Sequence, residues 1–253
     1  MENTEIKRPF LSIIIPALNE AGRLPGTLVQ IEEFLRKQSY DAEVIIVENG
    51  STDDTVGVVK RFAQDHPDFD LKLFAGEPRG KGRAVQRGML EACGEWRFFC
   101  DVDLSMPIEE INKFLPPQLD NYEVAIGSRE AKGAKRYNEP YYRHLMGRIN
   151  NFLVKLIAVR GYEDTQCGFK SFSRKAAEDL FRVQKMKGIG FDVELLYIAQ
   201  KRGYHIVEVP INWHYNAETK MRFIEDSLGI IREMFEIRRN WRQGLYQKQN
   251  HQK

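Results

Sequence analysis

Cysteine is scarce in this 253-residue chain. The three present, Cys93, Cys100 and Cys167, form neither an even set nor a CxxC spacing, which excludes a disulfide framework and a thiolate zinc site and makes a reducing compartment the default. The five histidines show no ligand spacing, so no zinc is expected. Long apolar runs are also missing. The longest early one, Leu11 to Asn19, contains Pro16 and falls short of the ~20 apolar residues that cross a bilayer. Neither a signal peptide nor a transmembrane span is expected. Charge of one sign is not in excess, with 38 Lys+Arg against 36 Asp+Glu and a formal net charge of +2, so the chain is not built to coat nucleic acid and no nucleic-acid partner is expected. No internal repeat or low-complexity linker interrupts it. What remains is 42% hydrophobic residues, too many for intrinsic disorder, in a length that allows one large domain or two small ones.

The charge that is present is unevenly placed. Residues 1–100 carry 13 Lys/Arg and 16 Asp/Glu, and residues 101–253 carry 25 and 20. From Lys132 to Arg160 seven basic residues accompany a single acid, Glu139, and that stretch is where an anionic partner is expected to bind. The first hundred residues alternate β-branched runs at Leu11–Ile15, Glu43–Val47, Leu71–Phe74 and Trp96–Cys100 with amphipathic stretches at Arg23–Lys37, Asp54–Gln64 and Gly82–Ala92. This rhythm predicts a doubly wound α/β fold, Rossmann-like, with a mostly parallel sheet, helices on both faces and ligands at the carboxyl ends of the strands. Further on, the pattern predicts a strand at Glu123–Ile126 and a helix at Tyr141–Val159 with Leu145, Ile149, Phe152, Leu153 and Leu156 on one side. Helices near Lys175–Phe181 and Val193–Arg202 and a strand at Tyr204–Val209 follow. A last amphipathic helix, Phe223 to Trp241, and a frayed polar tail from Gln243 form a C-terminal appendage (223–253) on one domain (1–222).

The polar residues after each strand make chemical sense together. Pro16 stops the first ladder, so that Asn19 and Glu20 are presented at the sheet edge, where Asn19 also suits a helix cap. Glu48-Asn49 follow the second strand, placed to read a nucleobase edge, with Asn49-Gly50 equally a turn. Gly80-Lys81-Gly82 opens a helix, where Lys81 can neutralise phosphate; it is not a Walker A loop, because the spacing and the hydroxyl after the lysine are missing. Asp101 and Asp103 end the fourth strand. Two carboxylates two apart in extended chain face one side, a costly arrangement that a hard divalent cation bridging to phosphate oxygens relieves.

In that order, PALNE (16–20), ENGSTDDT (48–55), RGKGRAVQRG (79–88), DVD (101–103) and GSR (127–129) resemble the nucleotide-sugar transferases of glycosyltransferase family 2, which have the GT-A fold. DTQCGFKSF (164–172), FDVELLYIAQ (191–200) and VPINW (209–213) look like the dolichyl-phosphate β-glucosyltransferase branch, and the likeness covers nearly all of residues 10–225. The resemblance implies transfer of glucose from UDP-glucose to a polyprenyl or dolichyl phosphate with inversion, and Mg²⁺ or Mn²⁺ at Asp101 and Asp103. It implies donor contacts from Pro16, Ala17, Asn19, Glu20, Glu48, Asn49, Lys81, Asp101, Val102 and Asp103. Two departures stand out. The family has two aspartates where this chain has Glu48-Asn49, and eukaryotic members of the branch carry an N-terminal membrane-spanning segment with no counterpart in this sequence.

A phosphate monoester acceptor has a second pKa of about 6 and is mostly dianionic near neutrality. The site then needs cations that hold two anions together more than it needs a base, and Arg129, Arg136, Arg143, Arg148 and Lys170 are the candidates. Asp103, Asp164 and Asp192 are the candidate catalytic acids, with N-cap and turn roles as alternatives for Asp192 and Asp164. Gln166 and Trp213 are further substrate contacts, and Cys167 is expected to be a packed residue rather than a nucleophile. Arg238, Arg239, Trp241, Arg242 and Tyr246 resemble an interfacial anchor, which makes the expectation a cytoplasmic protein peripheral to the cytoplasmic face of a membrane. The rival readings are the same chemistry with GDP-mannose, transfer to a sugar or protein hydroxyl, and a non-catalytic nucleotide-sugar-binding protein. No QxxRW pattern is present, so processive polysaccharide synthesis is not expected.

Overall fold

Leu11–Ala17 (β1) and Ala42–Glu48 (β2) are buried along nearly their whole length, as strands covered on both faces must be. The computed structural model describes residues 8–216 and 223–247. Along it come β1, Leu24–Leu35 (α1), β2, Thr55–Asp65 (α2), Leu71–Phe74 (β3), Lys81–Glu91 (α3), Trp96–Cys100 (β4), a 3₁₀ segment at Ile108–Phe114 and Val124–Ser128 (β5). Lys135–Tyr137 (β6), Tyr141–Ile157 (α4), Phe169–Ser173 (β7), Arg174–Val183 (α5), Phe191–Lys201 (α6), Ile206–Pro210 (β8), Asn212–His214 (β9) and Phe223–Arg242 (α7) follow. The main sheet has the order β3-β2-β1-β4-β7-β5-β8, and β6 pairs with β9 in a small second sheet. Only β7 runs against its neighbours in the main sheet: it is antiparallel to β4 and β5, and every other pair is parallel.

Alternate side chains of the strands feed two cores. Ile14, Ile45, Phe99 and Phe172 pack with α3, α5, α6 and α7 on one face. Ile13, Ile46, Phe98 and Phe169 pack with α1, α2 and the 3₁₀ segment on the other. Phe98, Phe114 and Phe169 meet edge to face at 4.5–5.4 Å, each ring worth about 1.5–3 kcal/mol in area withdrawn from water. The sheet also buries charge, as at Glu43. Glu43 accepts from Ser12 Oγ (2.5 Å) and Cys93 N (2.6 Å) and is bridged by Lys72 (2.5 Å). Burial works to raise its pKa, yet these donors hold it below the ordinary carboxylate value.

Several expectations change. β1 continues through Pro16 to Ala17 in register with β2, whereas its pairing with β4 ends at Ile14 opposite Phe99; Pro16 therefore sits where one neighbouring strand has already gone, a position that tolerates a missing N–H. β6, β7, β9 and the 3₁₀ segment are additions to the sequence reading. The tail from Gln243 is held as far as Gln247: Leu245 N donates to Asn240 O (3.0 Å), and the Tyr246 hydroxyl donates to the buried Glu194 (2.6 Å). Tyr246 is 1% exposed and Trp241 packs edge-on to Tyr197. The C-terminal cluster therefore does not present its aromatics as an interfacial anchor, because Glu194 needs the Tyr246 donor inside the fold. Residues 248–253 lie outside the described residues.

Candidate active site

Because β7 is antiparallel, its first residue meets the last residue of β4, with Phe169 opposite Cys100. This brings Gly168 against Asp101 at the edge where the parallel strands end. A Cβ at position 168 would lie 2.3 Å from Asp101 Oδ2, so any side chain there displaces that carboxylate. Asp101 Oδ1 bridges Lys81 Nζ at 2.5 Å. Lys81 opens α3 after Gly80, whose φ of +145° is unfavourable for other residues. Burial opposes the charge on Lys81, but the carboxylates of Asp101, Asp192 and Asp103 raise its pKa above the ordinary lysine value. Asp103 accepts from Ser105 N (3.0 Å). Burial and the neighbouring Asp101 push its pKa up, the signature of two carboxylates sharing a site with too little positive charge. Among the described residues no group of three or more His, Cys, Asp or Glu is placed to hold a metal ion. The chain thus offers a two-carboxylate, all-oxygen set, which suits Mg²⁺ or Mn²⁺ taking its remaining ligands from phosphate and water.

A second grouping is formed just after β5 and on the paired strands β6 and β9. Arg129 donates through Nε and Nη2 to Asp164 (2.6 and 3.0 Å), and its backbone N–H donates to the same carboxylate (3.1 Å). Arg136 donates to Glu130 and Glu139 (2.5 Å each) and through Nε to the Arg129 carbonyl (3.2 Å). Both guanidinium groups lie 5.6 Å from the Trp213 ring, within cation–π range. Ser105 joins the two groupings: its N–H donates to Asp103 and its carbonyl accepts from His214 N (2.7 Å), the residue after Trp213.

The pocket between them holds about 220 Å³ and is lined by Lys81, Asp101, Asp103, Arg129, Arg136 and Trp213, and further by Gln166, Cys167 and Asp192. Asp192 lies in the first turn of α6 rather than at its N-cap, which is Gly190. Its Oδ1 accepts from Lys170 Nζ (2.5 Å), and burial, only partly offset by Lys170 and Lys81, raises its pKa. Cys167 is buried and its thiol is pushed up to about 12 by burial, as suits a packed residue rather than a nucleophile.

Other expected site residues stand elsewhere. Asp164 is completely buried behind Arg129 and does not line the pocket. Lys170 is also completely buried, donating to Cys167 O (2.6 Å) and Asp192, so it lies beneath the pocket rather than in it. Arg148 is exposed on α4 outside the pocket; the Arg143 side chain lies outside the described residues. At the donor end, Ala17 and Val102 are buried, Val102 O accepting from Thr27 Oγ1 (2.7 Å). Asn19 and Glu20 tie the β1 exit to the β2 exit: Asn19 N donates to Ser51 Oγ and Glu20 N to Thr55 Oγ1 (2.9 Å each). Glu48 accepts from the N–H groups of Ser51 and Gly76, which hold it below the ordinary value against the opposing effect of burial. The Asn49 amide fits with its nitrogen donating to Ala17 O (2.7 Å) and its oxygen accepting from Gly80 N (3.2 Å). An aspartate could not make the first of these bonds, a physical account of this departure from the two-aspartate pattern. Ser105, Glu139, Asn151 and Ile189 also line the pocket without having been singled out in the sequence; a glycine directly before a strand, as at Gly168, was the one local signal that could have marked its neighbourhood.

The sequence model of the family described as Glycosyl transferase family 2 matches residues 12–181. The chain belongs to that family. This glycosyltransferase is 33% identical over 248 residues to a dolichyl-phosphate beta-glucosyltransferase of Trichomonas vaginalis, covering 94% of this chain and 73% of the relative. It is 35% identical to that of Drosophila melanogaster (90% and 74%) and 33% identical to that of Homo sapiens (80% and 67%). Its fold is GT-A. The glucosyl-3-phosphoglycerate synthase of Mycobacterium tuberculosis with Mn²⁺, UDP and glucosyl-3-phosphoglycerate has the same fold at a TM-score of 0.63 and 18% identity, covering 90% of this chain and 78% of that one. The Pyrobaculum calidifontis mannosyltransferase with GDP-Man and Mn²⁺ superposes at 0.54 and 22% identity, covering 86% and 59%.

Proposed function

We propose that this glycosyltransferase moves glucose from UDP-glucose, with inversion, onto the phosphate of a polyprenyl chain such as dolichyl phosphate, at the cytoplasmic face of a membrane. The observation that carries the reading is a single pocket with Asp101, Asp103 and Lys81 in one grouping and Arg129 and Arg136 around Trp213 in the other. That is a site for two anions. The names of the relatives, each a dolichyl-phosphate beta-glucosyltransferase, support glucose as the sugar and a dolichyl phosphate as the acceptor.

Glu48 and Asn49 at the end of β2 stand on the nucleotide side, and Lys81 neutralises the donor diphosphate. Asp103 and Asp101 would hold Mg²⁺ or Mn²⁺, which when bound stabilises the negative charge gathering on the departing diphosphate. Arg129 and Arg136, fixed by carboxylates and by Trp213, hold the acceptor phosphate in line. Its oxygen forms the new bond to the anomeric carbon, the carbon–oxygen bond to the donor diphosphate breaks, and the electron pair leaves with UDP. The acceptor dianion carries its own nucleophilic charge near neutrality, its second pKa being about 6, so no proton transfer is required.

One observation favours a second reading. Asp192 faces the pocket with a raised pKa, as a base for a hydroxyl acceptor would. The test incubates the protein with Mg²⁺ or Mn²⁺, UDP- and GDP-sugars and a short-chain polyprenyl phosphate, following nucleotide release and lipid product by mass spectrometry. UDP-glucose turnover that depends on the acceptor and yields a hexosyl-phosphate lipid is expected; turnover with GDP-mannose alone, or with hydroxyl acceptors alone, would overturn the donor or the acceptor assignment.

A further inference from the structure

Helix α4 is divided lengthwise. At 100° per residue, Gly147 and Asn151 form one strip, which lines the pocket. Next round the helix come Lys155 and Arg148, and beyond them Tyr141, Phe152, Leu145, Leu156 and Ile149 form a continuous apolar strip. That strip is bare: Tyr141 is 80%, Phe152 63% and Leu156 62% exposed. Of the twelve large apolar side chains exposed among the described residues, seven stand on this one helix, too dense a concentration to count as the scattered surface apolars of a soluble protein. The strip is the face that the sequence pattern marks as core. The helix instead buries Val154 and Asn151 on its other side and packs along α7.

We propose that the apolar strip of α4 lies in the surface of an anionic bilayer, with Arg148 at headgroup level, so that a lipid-linked phosphate reaches the pocket along the basic strip without its chain leaving the membrane. Two observations select a bilayer over another occupant. The basic strip lies between the apolar strip and the pocket wall, the order in which a lipid presents chain, then charged headgroup. The surface also carries cations: Arg148 and Arg160 are exposed, and Lys155, paired with Glu163 (2.5 Å), stands beside Arg148 on the helix. Apolar side chains flanked by basic groups and by tyrosines at one end are how an interfacial helix binds. No helix among the described residues is long and apolar enough to cross a membrane. Passage of the lipid phosphate rests on the polyprenyl-phosphate reading above; binding of the surface does not.

Flotation with vesicles tests it, using phosphatidylcholine alone or mixed with phosphatidylglycerol, at low and high salt. Wild type should float with the anionic vesicles at low salt. The double variant Leu145→Glu/Phe152→Glu, altered only at exposed positions outside the pocket, should lose about tenfold or more of its bound fraction. Its melting temperature and its turnover of a short, water-soluble polyprenyl phosphate should stay at the wild-type level, while turnover of a long-chain acceptor in vesicles falls in parallel with binding. The proposal is overturned if wild type remains below all vesicles, if the variant floats as well as wild type, or if light scattering shows a dimer that the variant dissociates, which would give the strip to a second copy of the chain. Vesicle binding that follows the variant while no polyprenyl phosphate is glycosylated would uphold the surface and remove the acceptor assignment instead.

Discussion

Asp103 lines the pocket and Asp164 lies buried behind its Arg129 wall, and the fold moves their pKa values in opposite directions. Burial would raise the pKa of Asp164, but the charge of Arg129 and its three donated hydrogen bonds hold it below the ordinary carboxylate range. The folded chain thus keeps Asp164 ionised at a pH where the unfolded chain protonates it. Its contribution is present above the unfolded pKa and is lost as pH falls through the lower folded value. Asp164→Asn should lower stability by about 3 kcal/mol, the scale for breaking a buried pair, raise the KM for acceptor, and flatten the loss of stability on acidification; denaturant unfolding across the acid limb reads all but the KM. For Asp103 the sign reverses. Its pKa is raised by burial and by Asp101, so without a cation its ionisation destabilises the folded state as pH rises through that range. Mn²⁺ should therefore raise the melting temperature more at pH ~7.5 than at pH ~5, and Asp103→Asn should abolish the gain.

At the scale of elements, the reversed strand β7 decides where the chemistry sits. It places Gly168 beside Asp101 and Lys170 beneath Asp192. Gly168→Ala would drive a methyl into the Asp101 carboxylate and displace it from Lys81; turnover should drop on the order of 10²-fold, with weaker Mn²⁺ binding by titration calorimetry. A contact between α6 and the segment after α7 gives a second test. Tyr246→Phe removes the hydroxyl donor from the buried Glu194 and should reduce stability by about 1–3 kcal/mol in urea. Neither contact could be read from the sequence. The residues after β1, β2, α3's glycine turn and β4 were legible because buried parallel strands announce their own ends. Strand direction leaves no trace in periodicity, so Lys170 read as a cation for the acceptor phosphate until its partner, 22 residues further on, was seen beside it. The apolar strip of α4 was equally legible as a pattern, but whether a neighbour covers it is a property of the packed molecule.

For the molecule as a whole, the two halves of the sheet carry different tasks and were built with different means. The half from β3 to β4 is parallel and places Glu48, Asn49, Lys81, Asp101 and Asp103. The other half contributes Arg129, Asp192 and Trp213 through β5, α6 and β9. That division has a temporal side. All strands of the first half lie within residues 11–100, joined by short local crossovers, whereas β7 must enter between β4 and β5 and brings residues 168–170 with it. A chain synthesised from its N-terminus can form the first half while the rest is still being made. Asp101 then meets neither Gly168 nor the Arg129 grouping until β7 has closed the gap. On that route the pocket is complete only once β7 is seated between β4 and β5, a late event in the life of the nascent chain.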